Sequence, residues 1–194
     1  MTFANRLPQA RAAVEHAERM HARQRRGDGT PFIRHPLEVG SLLYYSGAPD
    51  HLIAAGVLHD VIAKTDASAA DVRERFGPRI AGLVLAVTDD DQIAGYANRK
   101  AALRQQVAGA GDEALMLFAA DKLSRLRELR REVGLDRNGA PPGQIRALRA
   151  RRLAHYPHSL ALLEERLPGS PVVRELRDEL GAALDDRTLL AAIH

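Results

Sequence analysis

Three stretches of the chain set a histidine or a carboxylate where the surrounding pattern is apolar. His59 and Asp60 follow Ile53, Val57 and Leu58 and precede Val61 and Ile62, so a helix through them draws at least one of the two inward. Asp121 ends the apolar run from Ala114 to Ala120, again an acid in a helix that otherwise reads as buried. His35 is set at a helix start by the proline that follows it. A buried, unpaired carboxylate is costly, and two things relieve the cost: an ordinary salt bridge to one of the many arginines, or a divalent cation. Two imidazoles and two carboxylates form a nitrogen and oxygen set that suits manganese or iron, with positions left for water and substrate. With no cysteine in the chain, a structural zinc site is not expected.

The elements that must position these groups are helices. The chain has 194 residues, 45% apolar and 27% charged, which reads as one globular domain. A chain of this length buries roughly 70% of the surface it exposes when unfolded, so it holds a core without disulfides. The longest apolar runs, such as Ile80 to Val87, are too short to span a bilayer, and Arg6, Arg11 and Glu15 interrupt any export signal. A cytoplasmic location is expected. The net charge of +3 is mildly basic, and among 28 basic residues only Lys64, Lys100 and Lys122 are lysines, a usage that base composition alone can produce. Aromatic residues make up 4% of the chain and tryptophan is absent, which argues against a nucleic-acid surface built on stacking.

Apolar positions recur every three or four residues and no alternating strand stands out. Helices are expected over Leu7 to Arg26, Pro36 to Ser46, and from Pro49 through the His59-Asp60 pair, with Ser68 and Asp71 forming a capping box for a short helix that Gly77-Pro78 ends. Further helices are expected over Arg79 to Val87, Tyr96 to Val107, Glu113 to Val133, Gln144 to His155, Ser159 to Leu167 and Pro171 to Leu184. The glycine- and proline-rich stretch Gly134 to Gly143 is the strongest internal boundary. The fold class is all-α, an irregular multi-helix globule rather than a coiled coil or simple bundle.

Four segments in this order, His21 to Pro36 (HARQRRGDGTPFIRHP), Leu58 to Asp66 (LHDVIAKTD), Arg75 to Thr88 and Ala119 to Leu129 (AADKLSRLREL), resemble the HD-domain hydrolases of the RelA/SpoT homologue family over roughly the first 130 residues. The resemblance implies an all-α HD-domain fold and removal of the 3′-pyrophosphate from ppGpp and pppGpp with a manganese ion. It implies His35, His59, Asp60 and Asp121 as metal ligands, with Mn2+ as the cofactor and Fe2+ or another divalent ion as alternatives. It places the family's nucleotide-binding arginine at Arg26, where a planar guanidinium can stack on a base or grip a phosphate, the other reading being a solvated helix end. Arg23, Arg25 and Arg34 add positive charge nearby.

The chain departs from the family's HDVVEDT pattern at Ala63 and Lys64, where the family has a Glu-Asp pair that helps activate water. Alanine neither accepts a proton nor orients water, and loss of such a base costs about 10²–10⁴-fold in rate. Ala63 reads as a natural replacement in a member of lost or altered activity, or as an introduced Glu→Ala change. Lys64 points to solvent or contacts a substrate phosphate. Near Asp121 the family's lysine is Phe118 and its asparagine is Arg125, which either meets the substrate or belongs to an exposed basic run. Tyr156 and His158 either close one side of the pocket or pack, and Tyr156 is carried as a candidate substrate contact.

The expected organisation is therefore an HD-type metal-dependent phosphohydrolase core over 1–133, with 134–194 a helical extension packed on it. The candidate catalytic positions are Ala63, Lys64 and Asp60, and the candidate substrate contacts are Arg26, Arg23, Lys64, Arg125 and Tyr156. The expected partner is a guanosine alarmone or related nucleotide, with no nucleic acid and no membrane; a homo-oligomer stays open. Because of Ala63, a non-catalytic or impaired nucleotide-sensing module is the alternative to an active hydrolase.

Overall fold

Seven consecutive residues, Leu52 to Leu58, are buried. A helix without a polar face must be surrounded, and the fold follows from that requirement. The computed structural model describes residues 6–27, 29–132 and 142–185, and its helices are α1 (Pro8–Met20), α2 (Arg34–Tyr45), α3 (Asp50–Leu58), α4 (Val61–Lys64), α5 (Ala69–Ala86), α6 (Tyr96–Ala110), α7 (Asp112–Glu132), α8 (Pro142–Leu153), α9 (Tyr156–Arg166) and α10 (Pro171–Asp185). Among the described residues the sole extended pairing is an isolated bridge between Arg25 and Pro31. The fold is all-α. Residues 1–5, Asp28, 133–141 and 186–194 lie outside the described residues, and with them most of the expected Gly134 to Gly143 boundary.

Helices α1, α2, α5 and α7 enclose α3. The start of α1 has no cap of its own; the Asp50 carboxylate at the start of α3 accepts from the amides of Gln9 (3.0 Å) and Ala10 (2.8 Å). One side chain thus satisfies two orphan donors and ties two helices together. The expected capping box is present before α5, with the Asp71 amide donating to Ser68 Oγ at 3.2 Å and the Ser68 amide to Asp71 Oδ2 at 2.8 Å. Gly77 interrupts α5 at φ +85°, because the proline that follows disfavours a helical residue before it.

Two expectations about helix extent are corrected. The first helix stops at Met20 rather than Arg26, and the chain turns so that Gln24 Nε2 donates to the Lys64 carbonyl (2.5 Å) and its Oε1 meets His21 Nδ1 (2.8 Å). The third helix ends at Leu58, so His59 and Asp60 lie in the turn before α4 and not inside a helix. Both residues keep right-handed helical dihedrals through that break, and their side-chain tips meet, with His59 Nε2 3.4 Å from Asp60 Oδ2.

Towards the end of the described residues, α10 lays Val172, Leu176, Leu180 and Ala183 into the same apolar core. Ion pairs of Arg127 with Glu175 and of Arg130 with Glu179 join it to α7. Among the described residues no helix is long and apolar enough to cross a membrane.

Candidate active site

Each wall of the core helix contributes one part of a single constellation. His35 comes from the first turn of α2, His59 and Asp60 from the turn after α3, and Asp121 from the middle of α7. All four are buried, with His35 wholly inaccessible. His35 Nε2 lies 3.1 Å from His59 Nε2, 3.2 Å from Asp121 Oδ1 and 3.7 Å from Asp60 Oδ2; His59 Nε2 lies 3.4 Å from Asp60 Oδ2 and 3.5 Å from Asp121 Oδ1. Such spacings are those of neighbouring ligand atoms around one ion at bond lengths of about 2.0–2.2 Å.

The outer contacts fix which nitrogen faces inward. His59 Nδ1 donates to the Gly56 carbonyl at 2.8 Å, a partner that only accepts. His35 Nδ1 meets Ser124 Oγ at 2.8 Å and the Glu128 carboxylate at 3.3 Å. Both Nδ1 atoms therefore carry protons in the neutral rings, and two Nε2 lone pairs face two carboxylates. Burial pushes His59 down, yet Asp60 and Asp121 outweigh it and hold its pKa above the ordinary value. Burial likewise works against ionising Asp60 and Asp121, but the imidazoles and the cations Arg125 and Lys122 hold both well below the usual carboxylate range. This concentration of lone pairs fits a divalent cation, and His35, His59 and Asp121 form a three-ligand group within 4.8 Å.

Two protein cations already touch the carboxylates, and they do so differently. Lys122 Nζ donates to Asp121 Oδ2 at 2.6 Å, leaving Oδ1 to the imidazoles, and rests 4.6 Å above the Phe118 ring. Arg125 grips Asp60 Oδ2, the same oxygen that faces the histidines, and its Nε lies 3.5 Å from Asp121 Oδ1. Arg125 is half-buried over the site and is not an exposed member of a basic run.

Above the four groups opens a cavity of about 1070 Å³. Its lining carries eight cations against five carboxylates, and Arg26, Lys64, Arg125 and Tyr156 are among the wall residues. Ala63 also faces it and brings no functional group. Arg26 pairs with Glu128 while its Nε and Nη2 are buried without a partner, so it is not a solvated helix end. Arg23, in contrast, is exposed and outside the lining, as is Arg34; Arg25 takes the place foreseen for Arg23. His158 does not reach this cavity.

Sequence reasoning missed several residues around the site. Ser124 and Glu128 follow Asp121 by three and seven residues and so share its helix face with the expected Arg125, a signal available in the sequence. Tyr96, Arg99 and Lys100 come from α6, Arg152 from the end of α8 and His155 from the start of α9, a gathering that no local pattern announces. Burial together with Lys122, Lys100 and Arg104 pushes His155 down to about 3, so it is neutral near pH 7. Burial and the Asp121 charge push the Tyr156 hydroxyl well above its ordinary value.

Comparison with known proteins gives a consistent result. Residues 13–140 match the HD domain family model. The chain is 36% identical over 120 residues to guanosine-3′,5′-bis(diphosphate) 3′-pyrophosphohydrolase MESH1 of Drosophila melanogaster, covering 60% of this chain and 66% of that protein. It is 37% identical over 123 residues to the human MESH1, covering 61% of this chain and 68% of that protein. A GTP pyrophosphokinase of Streptomyces coelicolor matches at 34% identity over 127 residues, but the chain spans only 15% of its length. Among solved structures, a metazoan SpoT orthologue described as hydrolysing ppGpp superposes with a TM-score of 0.70 at 27% identity, over 94% of this chain and 97% of that one. A Listeria monocytogenes protein, lmo0812, has the same fold at a TM-score of 0.66 and 24% identity.

Proposed function

The chain belongs to the HD-domain family, and from that premise we propose that it is a metal-dependent phosphohydrolase acting on guanosine 3′,5′-bis(diphosphate) or a related nucleotide, from which it releases pyrophosphate. The observation that carries this reading is the convergence of His35, His59, Asp60 and Asp121 beneath a cation-lined cavity of about 1070 Å³. These four residues would hold the ion, and manganese suits their mixed donors. A divalent ion bound there supplies Lewis acidity to a phosphate oxygen and acidifies a water.

The chain's own residues do the rest. Ser124 and the Gly56 carbonyl fix the two rings with their Nε2 atoms inward. Arg26 offers Nε and Nη2 to the nucleotide, Lys64 stands exposed at the cavity wall for a phosphate, and buried Tyr156 closes the α9 side. Arg125 sits where it can pass from Asp60 to an incoming phosphate as charge develops on the leaving group. The step that lacks an agent is proton removal from the attacking water, because Ala63 occupies the family's glutamate position.

Ala63 favours one second reading, a nucleotide-binding sensor that keeps the pocket and does not cleave. Pyrophosphate release from ppGpp with added manganese, measured on the chain and on Ala63→Glu beside calorimetric titration of ppGpp, separates the two. Slow turnover that rises about 10²–10⁴-fold in Ala63→Glu supports the hydrolase. Tight binding with no turnover in either protein supports the sensor, and neither metal nor nucleotide binding overturns both.

A further inference from the structure

Tyr96 and His155 have two sides. One faces the cavity described above; the other lines a second cavity of about 560 Å³, between α6 and the corner where α8 meets α9, that shares none of the four metal-site residues. This volume lies within the range of small-molecule sites. Its charged chemistry is of one sign. Arg104 and Arg151 line it together with His155 and His158, and no aspartate or glutamate does.

Among the described residues neither arginine forms a salt bridge, whereas Arg26, Lys100, Lys122 and Arg125 around the metal site do. Arg104 Nη1 is buried without a hydrogen-bond partner. A buried donor left unsatisfied costs about 1–3 kcal/mol, more when charged, and an acceptor entering the cavity relieves that cost. Arg151 stacks its guanidinium 4.7 Å from the Tyr96 ring centroid, which orients its planar fork. Arg104 and His155 both line this cavity, and the neutral imidazole can donate or accept as a ligand requires. Among the described residues these two guanidiniums have no counter-ion; one has a buried Nη1 without a hydrogen-bond partner and the other is braced on an aromatic ring, an arrangement that matches the oxygens of a phosphate or diphosphate.

We propose that the cavity lined by Arg104, Arg151, Tyr96, His155 and His158 is a second anion site that takes a phosphate or diphosphate group, either free or carried by a nucleotide.

The test is a titration of the chelator-treated full chain with inorganic pyrophosphate and, separately, GDP, followed by backbone amide shifts. The amides of Gly95, Ala97, Ala101 and Ala154 report the second cavity, and those of Gly27 and Ala63 report the first. Saturable shifts in the second set are expected. Saturation by pyrophosphate identifies a free anion as sufficient, and saturation by GDP alone identifies a nucleotide. Arg104→Gln combined with Arg151→Gln should weaken this response at least tenfold, while Arg125→Gln should leave it within twofold. Ala154→Glu puts a carboxylate in the lining with both arginines intact and should weaken it comparably, which keeps the test decisive if the double variant fails to fold. No saturable shift in the second set overturns the proposal, as does a response lost in Arg125→Gln but retained in Ala154→Glu. Neither readout involves turnover, so a chain that hydrolyses nothing can still pass, and an active hydrolase can still fail.

Discussion

Gly56 is where the three ligand-bearing parts of the fold come into contact, and Gly56→Ala tests whether their approach sets the site. A Cβ at this position would stand 2.5 Å from Leu43 Cδ1, 3.3 Å from Val39 Cγ1 and 3.6 Å from Leu117 Cδ1. The first two belong to α2, which carries His35, and the third to α7, which carries Asp121; Gly56 itself accepts the His59 Nδ1 proton. Carbon atoms prefer separations of about 3.5–4.0 Å, so Leu43 must retreat by roughly 1 Å or more. Leu43 is wholly buried, so the displacement passes into the helix. Overpacking of this kind costs about 1–3 kcal/mol, against a gain of about 0.5–1 kcal/mol from replacing a mid-helix glycine. The net loss should be about 1–2 kcal/mol, which lowers Tm by about 2–8 °C for a chain of this size. Gly82→Ala is the control, since it lies inside α5 with nothing within 4 Å of the added carbon and should gain stability. Separation of α2 from α3 also stretches the 3.1 Å approach of His35 to His59, so manganese affinity should fall about 10–100-fold. Thermal unfolding in chelator and manganese titration by calorimetry measure the two effects. A Gly56→Ala protein with the Tm of Gly82→Ala and an unchanged manganese Kd would refute the reasoning.

Three further outcomes follow from the same geometry. Arg125→Asn frees Asp60 Oδ2, the oxygen that faces the histidines, and should tighten divalent binding about tenfold, the loss of a charge-assisted bond of about 1.5 kcal/mol that competes with the ion; weaker binding in a metal titration would contradict it. Ser124→Ala removes the 2.8 Å partner of His35 Nδ1 and should weaken metal binding about 10–100-fold with little change in Tm, and an unchanged Kd would count against the orienting role. His155, held at about 3 in the fold against 6.5 in the unfolded chain, stays neutral while the unfolded chain takes up a proton. Stability should therefore fall as pH drops from 6.5 toward 3, by up to about 1.4 kcal/mol per pH unit, and His155→Gln should remove that component. Urea unfolding at pH 7.5 and 5.0 checks this, and a constant difference between the two proteins would refute it.

The limits of the sequence are visible in particular residues. The Ser68–Asp71 capping box and the Gly77-Pro78 interruption are legible because each is decided within a few residues by hydrogen bonding or sterics. The end of α1 is not, because the apolar spacing runs on to His21, and what stops the helix is a turn tied through Gln24 to the Lys64 carbonyl, 40 residues away. The break before His59 is equally silent, since Leu58 and Val61 both suit a helix and the buried ring is held by the Gly56 carbonyl. Arg23 and Arg25 are alike in type and nearly adjacent, yet only the second faces the cavity, because the Arg25–Pro31 bridge sets the direction of the strand-like return. Tyr156 reaches the cavity wall for a similar non-local reason: α9, which it opens, packs against α7.

The four departures from the family pattern also stop being independent once they are placed in space. Ala63, Lys64 and Arg125 all border the cavity, and each leaves it with more positive charge than the family residue would. Phe118 changes charge in the opposite sense, but it is buried in the core and does not border the cavity, and Lys122 lies above its ring while paired with Asp121. A pocket that has given up a proton acceptor and kept or gained cations holds an anion better than it activates water. Under the proposed function this makes binding outlast chemistry, with the nucleotide's residence set by Arg26, Lys64 and Arg125 and its cleavage set by the residue at 63. The two quantities should then separate under mutation: Ala63→Glu should raise turnover while loosening substrate through like-charge repulsion, and Lys64→Met should loosen substrate with turnover at saturation unchanged. Movement of kcat and KM in the same proportion in both variants would show that the cavity does not divide its work in this way.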